Sequence, residues 1–310
     1  MNPKNRCMTP AQIKAELKSH TFLDPRWDAT FKLLIADEEH PERLVHFLNS
    51  LLRLEGSDQI TTAILQGTEQ EVIFGFEKKV TFDLHCKNER DEPIVVEFQR
   101  DGDQTFKDRM LYYSAIAIRK EIMAGTIVYR LPQIYVLALM NFDLEAIAGK
   151  FHHTVKLMDI EFGTIFYDKL TFVYIELNQF KKSLQELETN EDRWLYALGN
   201  MGDAKERPTE LSGPIFESLF ESARISKFDS MKIDTLSAKL ADEGIRNGEL
   251  AYAINKGLAQ GRAEGKVEGK VEGIVELIEE RLRKGISWEL ITQGTGITPE
   301  EFERMKGLAK

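Results

Sequence analysis

A chain of 310 residues that is 42% hydrophobic can bury a substantial core, and its length suits one principal domain with a smaller appendage. A formal charge of -10 excludes a general basic coat for nucleic-acid phosphates but leaves room for a local cationic groove. There is no apolar run of about 18 residues and no apolar stretch of a secretion signal near the N-terminus, so the expected location is the cytoplasm, with no membrane partner.

After an N-terminal extension over 1–20, the segment 28–34 reads as a short helix. In 41–54, Leu44, Val45, Phe47, Leu48, Leu51 and Leu52 fall at helical spacing behind Pro41, a residue suited to a first helical turn. Strand-like runs follow at 71–76, 80–86 and 94–98, with the polar segment 88–93 as the turn between the last two. The stretch 105–123 is helical in pattern, 133–140 reads as a buried strand, and 169–177 as another. Strands with helices before, between and after them imply an α/β layer architecture. Residues 178–235 read as mainly helical, with Trp194 and Tyr196 packing on the core.

Beyond this domain, placed at 21–235, the pattern changes. Gly257, Gly261, Gly265, Gly269 and Gly273 recur every four residues among alternating charges. A four-residue repeat drifts around a 3.6-residue helix, and each glycine costs roughly 1 kcal/mol against alanine. Segment 236–284 is therefore either a helical arm or a linker, and its 250–284 stretch is a candidate surface for homo-oligomer contacts. The tail 285–310 holds two short helices, with Thr298-Pro299-Glu300-Glu301 resembling a cap and first turn. Their helix-turn-helix character carries few basic residues, so a protein-packing role suits them at least as well as base reading.

Two acids stand out. On the strand 80–86, Val80, Phe82, Leu84 and Cys86 share one face while Thr81, Asp83 and His85 share the other. On 94–98, the apolar set Ile94, Val96 and Phe98 alternates with Val95 and Glu97, and Gln99 lies two residues beyond. A turn centred near Arg90 makes paired residue numbers add to about 180 and sets Asp83 opposite Glu97. Cross-strand β-carbons lie roughly 5 Å apart, close enough for two carboxylates to share a hard divalent cation. Such an ion polarises a phosphodiester and activates water. Gln99 can orient water or contact a phosphate. Asp28, four residues before Lys32 on a helix, is a third acid, and Lys32 or Arg109 can supply positive charge. Arg109 and Tyr113 share a helix face at i and i+4. The two cysteines, Cys7 and Cys86, and six scattered histidines show neither a disulfide framework nor zinc-ligand spacing.

The sequence Asp28-Ala29-Thr30-Phe31-Lys32, then Phe47-Leu48-Asn49, Phe82-Asp83-Leu84, Val96-Glu97-Phe98-Gln99, Arg109, Tyr112-Tyr113 and Glu176-Leu177, resembles the PD-(D/E)XK nuclease family of transposases and recombination-promoting nucleases. The resemblance spans about 20–200. It implies a restriction-endonuclease-like mixed central sheet flanked by helices, with a helical C-terminal appendage, and DNA cleavage dependent on Mg²⁺, with Mn²⁺ as a substitute. In that reading Asp83 and Glu97 bind the metal, Asp28 and Gln99 complete the catalytic set, and Lys32, Arg109 and Tyr113 contact substrate. Gln99 takes the place that lysine holds in the wider superfamily.

Each of these residues also has an ordinary use: strand-surface acids, a helix cap at Asp28, solvated long side chains, and a histidine at His85 with no special duty. Two other functions fit the same residues, a non-catalytic scaffold or regulatory protein on a nuclease-like fold and a phosphodiesterase acting on RNA or a small nucleotide.

Overall fold

The computed structural model describes residues 8–67, 82–100, 102, 105–123, 130–144 and 150–308. The strand expected at 71–76 lies outside them, as do Val80 and Thr81. Two compact units divide the chain, one spanning Cys7–Gly244 and the other holding Ile245–Lys310.

Among the described residues of the first unit a six-stranded sheet has the order β1-β2-β3-β4-β6-β5, with β1 Ala63–Leu65, β2 Leu84–Asn88, β3 Pro93–Gln99, β4 Ile134–Met140, β5 His152–Asp159 and β6 Thr164–Glu176. The β3–β4 and β4–β6 pairs are parallel, and the β1–β2, β2–β3 and β5–β6 pairs are antiparallel. The expected β2–β3 register is present: Leu84 faces Val96, His85 faces Val95, Cys86 faces Ile94 and Lys87 faces Pro93, so each pair adds to 180. The turn is held by Asn88, whose Oδ1 accepts from the backbone N–H groups of Arg90 and Glu92, both at 3.0 Å.

Both faces of this sheet are covered, as the nearly continuous apolar β3 and β4 require. One face, including Leu84, Cys86, Ile94, Val96 and Phe98, joins the larger core with α1 (Pro10–Leu17), α2 (Asp28–Ile35), α3 (Pro41–Leu52), α5 (Asn190–Asn200) and α6 (Pro214–Ala223). Trp194 is fully buried there, and its indole N–H donates to His46 Nδ1 at 2.9 Å. The other face packs Val95, Val136, Ala138 and Met140 against Phe106, Met110 and Tyr113 of α4 (Phe106–Met123). Alternation along 80–86 puts Phe82 with Leu84, but the structure places Phe82 on the α4 side. Its ring lies 5.1 Å from that of Tyr113. The reason is local: the strand begins only at Leu84, and the backbone bends at Asp83, which resets the two-residue period.

Helix α7 (Ser230–Arg283) includes the glycine-periodic segment. In the second unit, α8 (Trp288–Thr295) and α9 (Pro299–Leu308) pack with the end of α7 around Val275, Ile278, Ile291 and Phe302. Thr298 and Glu301 form the expected reciprocal cap, the Thr298 N–H donating to Glu301 Oε2 at 3.0 Å and the Glu301 N–H to Thr298 Oγ1 at 3.3 Å. The apolar residues between these helices fill a small core.

Candidate active site

At the carboxyl end of β3 the backbone ladder with β2 gives way to side chains. The Asp83 N–H donates to Glu97 Oε2 at 3.3 Å, and the Phe98 N–H donates to Asp83 Oδ2 at 2.7 Å. Two carboxylates thus extend the strand pair by one rung, and each is fixed by a main-chain donor from the opposite strand. Both are buried, Asp83 at 9% exposure and Glu97 at 7%. Glu97 alternates with Val96 and Phe98 and so lies on the face that α4 covers, whereas Asp83, at the bend before β2, reaches toward Lys32 of α2; neither stands on a solvent-exposed surface.

Helix α2 brings the third acid. Phe31, Leu34 and Ile35 sit in the core, with the Phe31 ring 5.2 Å from Phe98 and 5.9 Å from Phe47. That seating directs Asp28 and Lys32, one turn apart, toward the strand ends. The Lys32 ammonium lies 3.0 Å from Asp28 Oδ1 and 3.2 Å from Asp83 Oδ1. Its hydrogen bond to Asp28 runs through Oδ2 at 3.2 Å, and Oδ1, although close to the ammonium, accepts no hydrogen bond. From α4, Arg109 donates to Gln99 Oε1. The expected residues Asp28, Lys32, Asp83, Glu97, Gln99, Arg109 and Tyr113 therefore gather at one end of the sheet, although Gln99 and Arg109 engage each other.

Electrostatics follow from burying acids side by side. Burial, then the charges of Glu97 and Asp28, push the Asp83 carboxyl well above the carboxylate range, against the pull of Lys32. Burial pushes Glu97 up to about 7, with Asp28 adding to the rise while Arg109, the Asp83 N–H and Lys32 oppose it. Burial pulls the Lys32 ammonium down, but Asp83 and Asp28 more than restore it and leave its pKa raised. Burial, followed by the charge of Glu97, also raises the Tyr113 phenol. His85 shares the acid face but is held neutral, burial and nearby Lys120 lowering its pKa to about 4.

Among the described residues no three or more His, Cys, Asp or Glu side chains are gathered in metal-holding geometry. The donor chemistry still suits a small hard cation. Mg²⁺ keeps most of its waters and is commonly held by one or two carboxylates plus substrate phosphate, and two buried oxygen donors short of positive charge meet that need.

A residue invisible to the sequence reading holds α2 in place. Trp27 caps the helix without a side-chain bond, and the need is met by Glu243 of α7, which accepts from the Asp28 N–H at 2.9 Å and the Ala29 N–H at 3.3 Å. A carboxylate there complements the helix dipole. Arg100, directly after Gln99, lies over the Trp27 ring at 4.1 Å. Nothing local marks Glu243 for this task, 215 residues along the chain from Asp28.

A mixed sheet flanked by helices, with acids at the ends of an antiparallel and a parallel strand, defines a restriction-endonuclease-like α/β fold. The model of the PD-(D/E)XK nuclease family transposase matches residues 25–243, and the chain belongs to that family. No curated protein and no solved structure matches it. Membership carries a nuclease-like or transposase function. Among the described residues no helix is long and apolar enough to cross a membrane.

Proposed function

We propose that the protein is a divalent-metal-dependent endonuclease that hydrolyses phosphodiester bonds of DNA, with Asp83 and Glu97 holding Mg²⁺ or, in its place, Mn²⁺. The observation that carries this reading is the interlocked pair of buried carboxylates at the strand ends, each pinned by a main-chain N–H of the facing strand. When bound, the cation lowers the pKa of an attacking water and offsets charge developing on the phosphoryl group.

The remaining groups divide the work by chemistry. Asp28 orients the Lys32 ammonium, which lies against Asp83 and supplies the positive charge that Gln99 cannot. Gln99 accepts from the Arg109 guanidinium and aims it, and a guanidinium suits bidentate capture of a backbone phosphate. Tyr113, kept protonated by its buried setting, can donate its O–H to a substrate oxygen or a water.

Purified protein incubated with duplex DNA and Mg²⁺ or Mn²⁺ tests the reading, with RNA and small nucleotides in parallel. Cleavage confined to DNA, abolished by chelation and by Asp83→Ala or Glu97→Ala in folded protein, is the expected outcome. Undiminished cleavage by both variants refutes the site. Turnover of RNA or nucleotides alone refutes the substrate.

A further inference from the structure

At the other end of the sheet lies a feature that the acids do not use. Strand β6 pairs with β4 only from Leu170 onward, so the hairpin of β5 and the first residues of β6 projects past the sheet, away from the carboxyl strand ends. Its side chains are apolar and open to solvent: Ile160 is 90% exposed, Phe166 80% and Phe162 78%, with Leu157, Met158 and Ile165 about half exposed. These six present on the order of 800 Å² of apolar surface, above the ~300–600 Å² of the largest patch on a typical monomer and near the ~800 Å² each partner gives to a standard interface.

We propose that this hairpin is a dimerisation surface whose partner is a second copy of the chain, joined along the outer edge of β5. Three observations select that occupant. First, among the described residues β5 is an edge strand, with one side of its backbone unpaired within the sheet. An exposed edge flanked by apolar side chains is a template for strand addition.

Second, the irregularities in the hairpin fall on β6. Lys156 faces Thr171, Leu157 faces Tyr167 and Met158 faces Ile165, so the extra residues lie on the inner strand and β5 stays continuous at its free edge. Third, the charges are self-complementary. An antiparallel pairing about a two-fold axis between Leu157 and Met158 sets Lys156 against the partner's Asp159 and Leu157 against the partner's Met158, the opposite-charge and apolar pairs that stabilise facing strands. DNA is the wrong occupant, because Asp159, Glu161 and Asp168 make the projecting segment acidic.

The test is the mass of the full chain by light scattering over a concentration series, for wild type and for Phe162→Asp with Phe166→Asp. Both side chains are mostly exposed, so the variant is expected to fold with an unchanged circular dichroism spectrum. A two-chain mass for wild type and a one-chain mass for the variant is the expected result. Leu157→Cys in a Cys7→Ser background gives an independent readout: a short thiol-reactive cross-linker should join two chains, and should fail to do so once the two aspartates are added. A wild type of one-chain mass throughout overturns the proposal. So does an aspartate variant that keeps two chains, which moves association elsewhere, such as residues 250–284, and so does folded Leu157→Cys protein that never cross-links.

Discussion

The two ends of the central sheet invert the usual rule of burial. At the carboxyl end of β3, carboxylates are buried beneath helices, whereas at the opposite end phenylalanine and isoleucine face water. Burying acids costs free energy that is recovered only when something of opposite charge arrives, and exposing apolar side chains costs free energy that is recovered only when something apolar covers them. On the proposed readings each end is completed by a ligand of its own chemistry, a cation at one and a second copy of the chain at the other.

The sharpest way to separate the two ends is activity. Asp83→Ala and Glu97→Ala should each lower DNA cleavage by about 10³-fold or more, as expected for loss of charge stabilisation at a reacting phosphate, while the hairpin aspartates leave the rate of cleavage per site unchanged. Gel assays with saturating Mg²⁺ decide it. Equal losses from both sets would mean that the two ends act as one.

Stability gives the next contrast. Phe82→Ala removes a ring buried between Tyr113 and His85 and should cost about 3–5 kcal/mol, whereas Phe166→Ala, which removes an equal ring from an exposed position, should change monomer stability by less than about 0.5 kcal/mol. Urea melts of a monomeric variant measure both. Similar costs would show that the hairpin is packed against its own chain.

A charge effect of opposite sign is expected at the acids. Glu97 has a folded pKa of about 7 against an ordinary 4.5, so the folded state holds a proton that the unfolded state has lost. The contribution of Glu97 to the stability of metal-free protein should be full below pH 4.5 and be lost as pH rises through about 7, on the order of 3 kcal/mol in all. Glu97→Gln removes the cost and should raise the metal-free thermal midpoint at pH 8 by several degrees while abolishing cleavage; Mg²⁺ should raise the midpoint of wild type alone. A variant less stable than wild type at pH 8 would deny the repulsion.

The smallest expected effect concerns the brace on the acid end. Glu243→Ala uncaps α2 and should cost about 1 kcal/mol, with a fall in the rate of cleavage greater than the change in substrate affinity, because Lys32 and Asp28 lose their seat. Glu243→Gln, which keeps an acceptor, should restore much of the rate. No difference between alanine and glutamine would deny a positioning role.

Most of the acid end was legible because its signals are local. Alternation and a polar turn set the β2–β3 register, and an i,i+4 spacing placed Asp28 with Lys32 and Arg109 with Tyr113. The hairpin end was not. Strand β5 reads His152-His153-Thr154-Val155-Lys156-Leu157-Met158-Asp159, which shows no clean alternation because an edge strand exposed on both sides has no single buried face to encode.

The chain's own pattern therefore determined which residues become strands and helices and which acids face each other across a turn, since both follow from spacing within a few residues. Only the tertiary structure decided that helix α4 buries the acid face, that Phe82 crosses to the other core, that Gln99 binds Arg109 and that Glu243 caps α2. Those outcomes rest on contacts between segments far apart in sequence, where the gain from excluding water and pairing buried charge is a property of the assembled layers and of no single stretch of the chain.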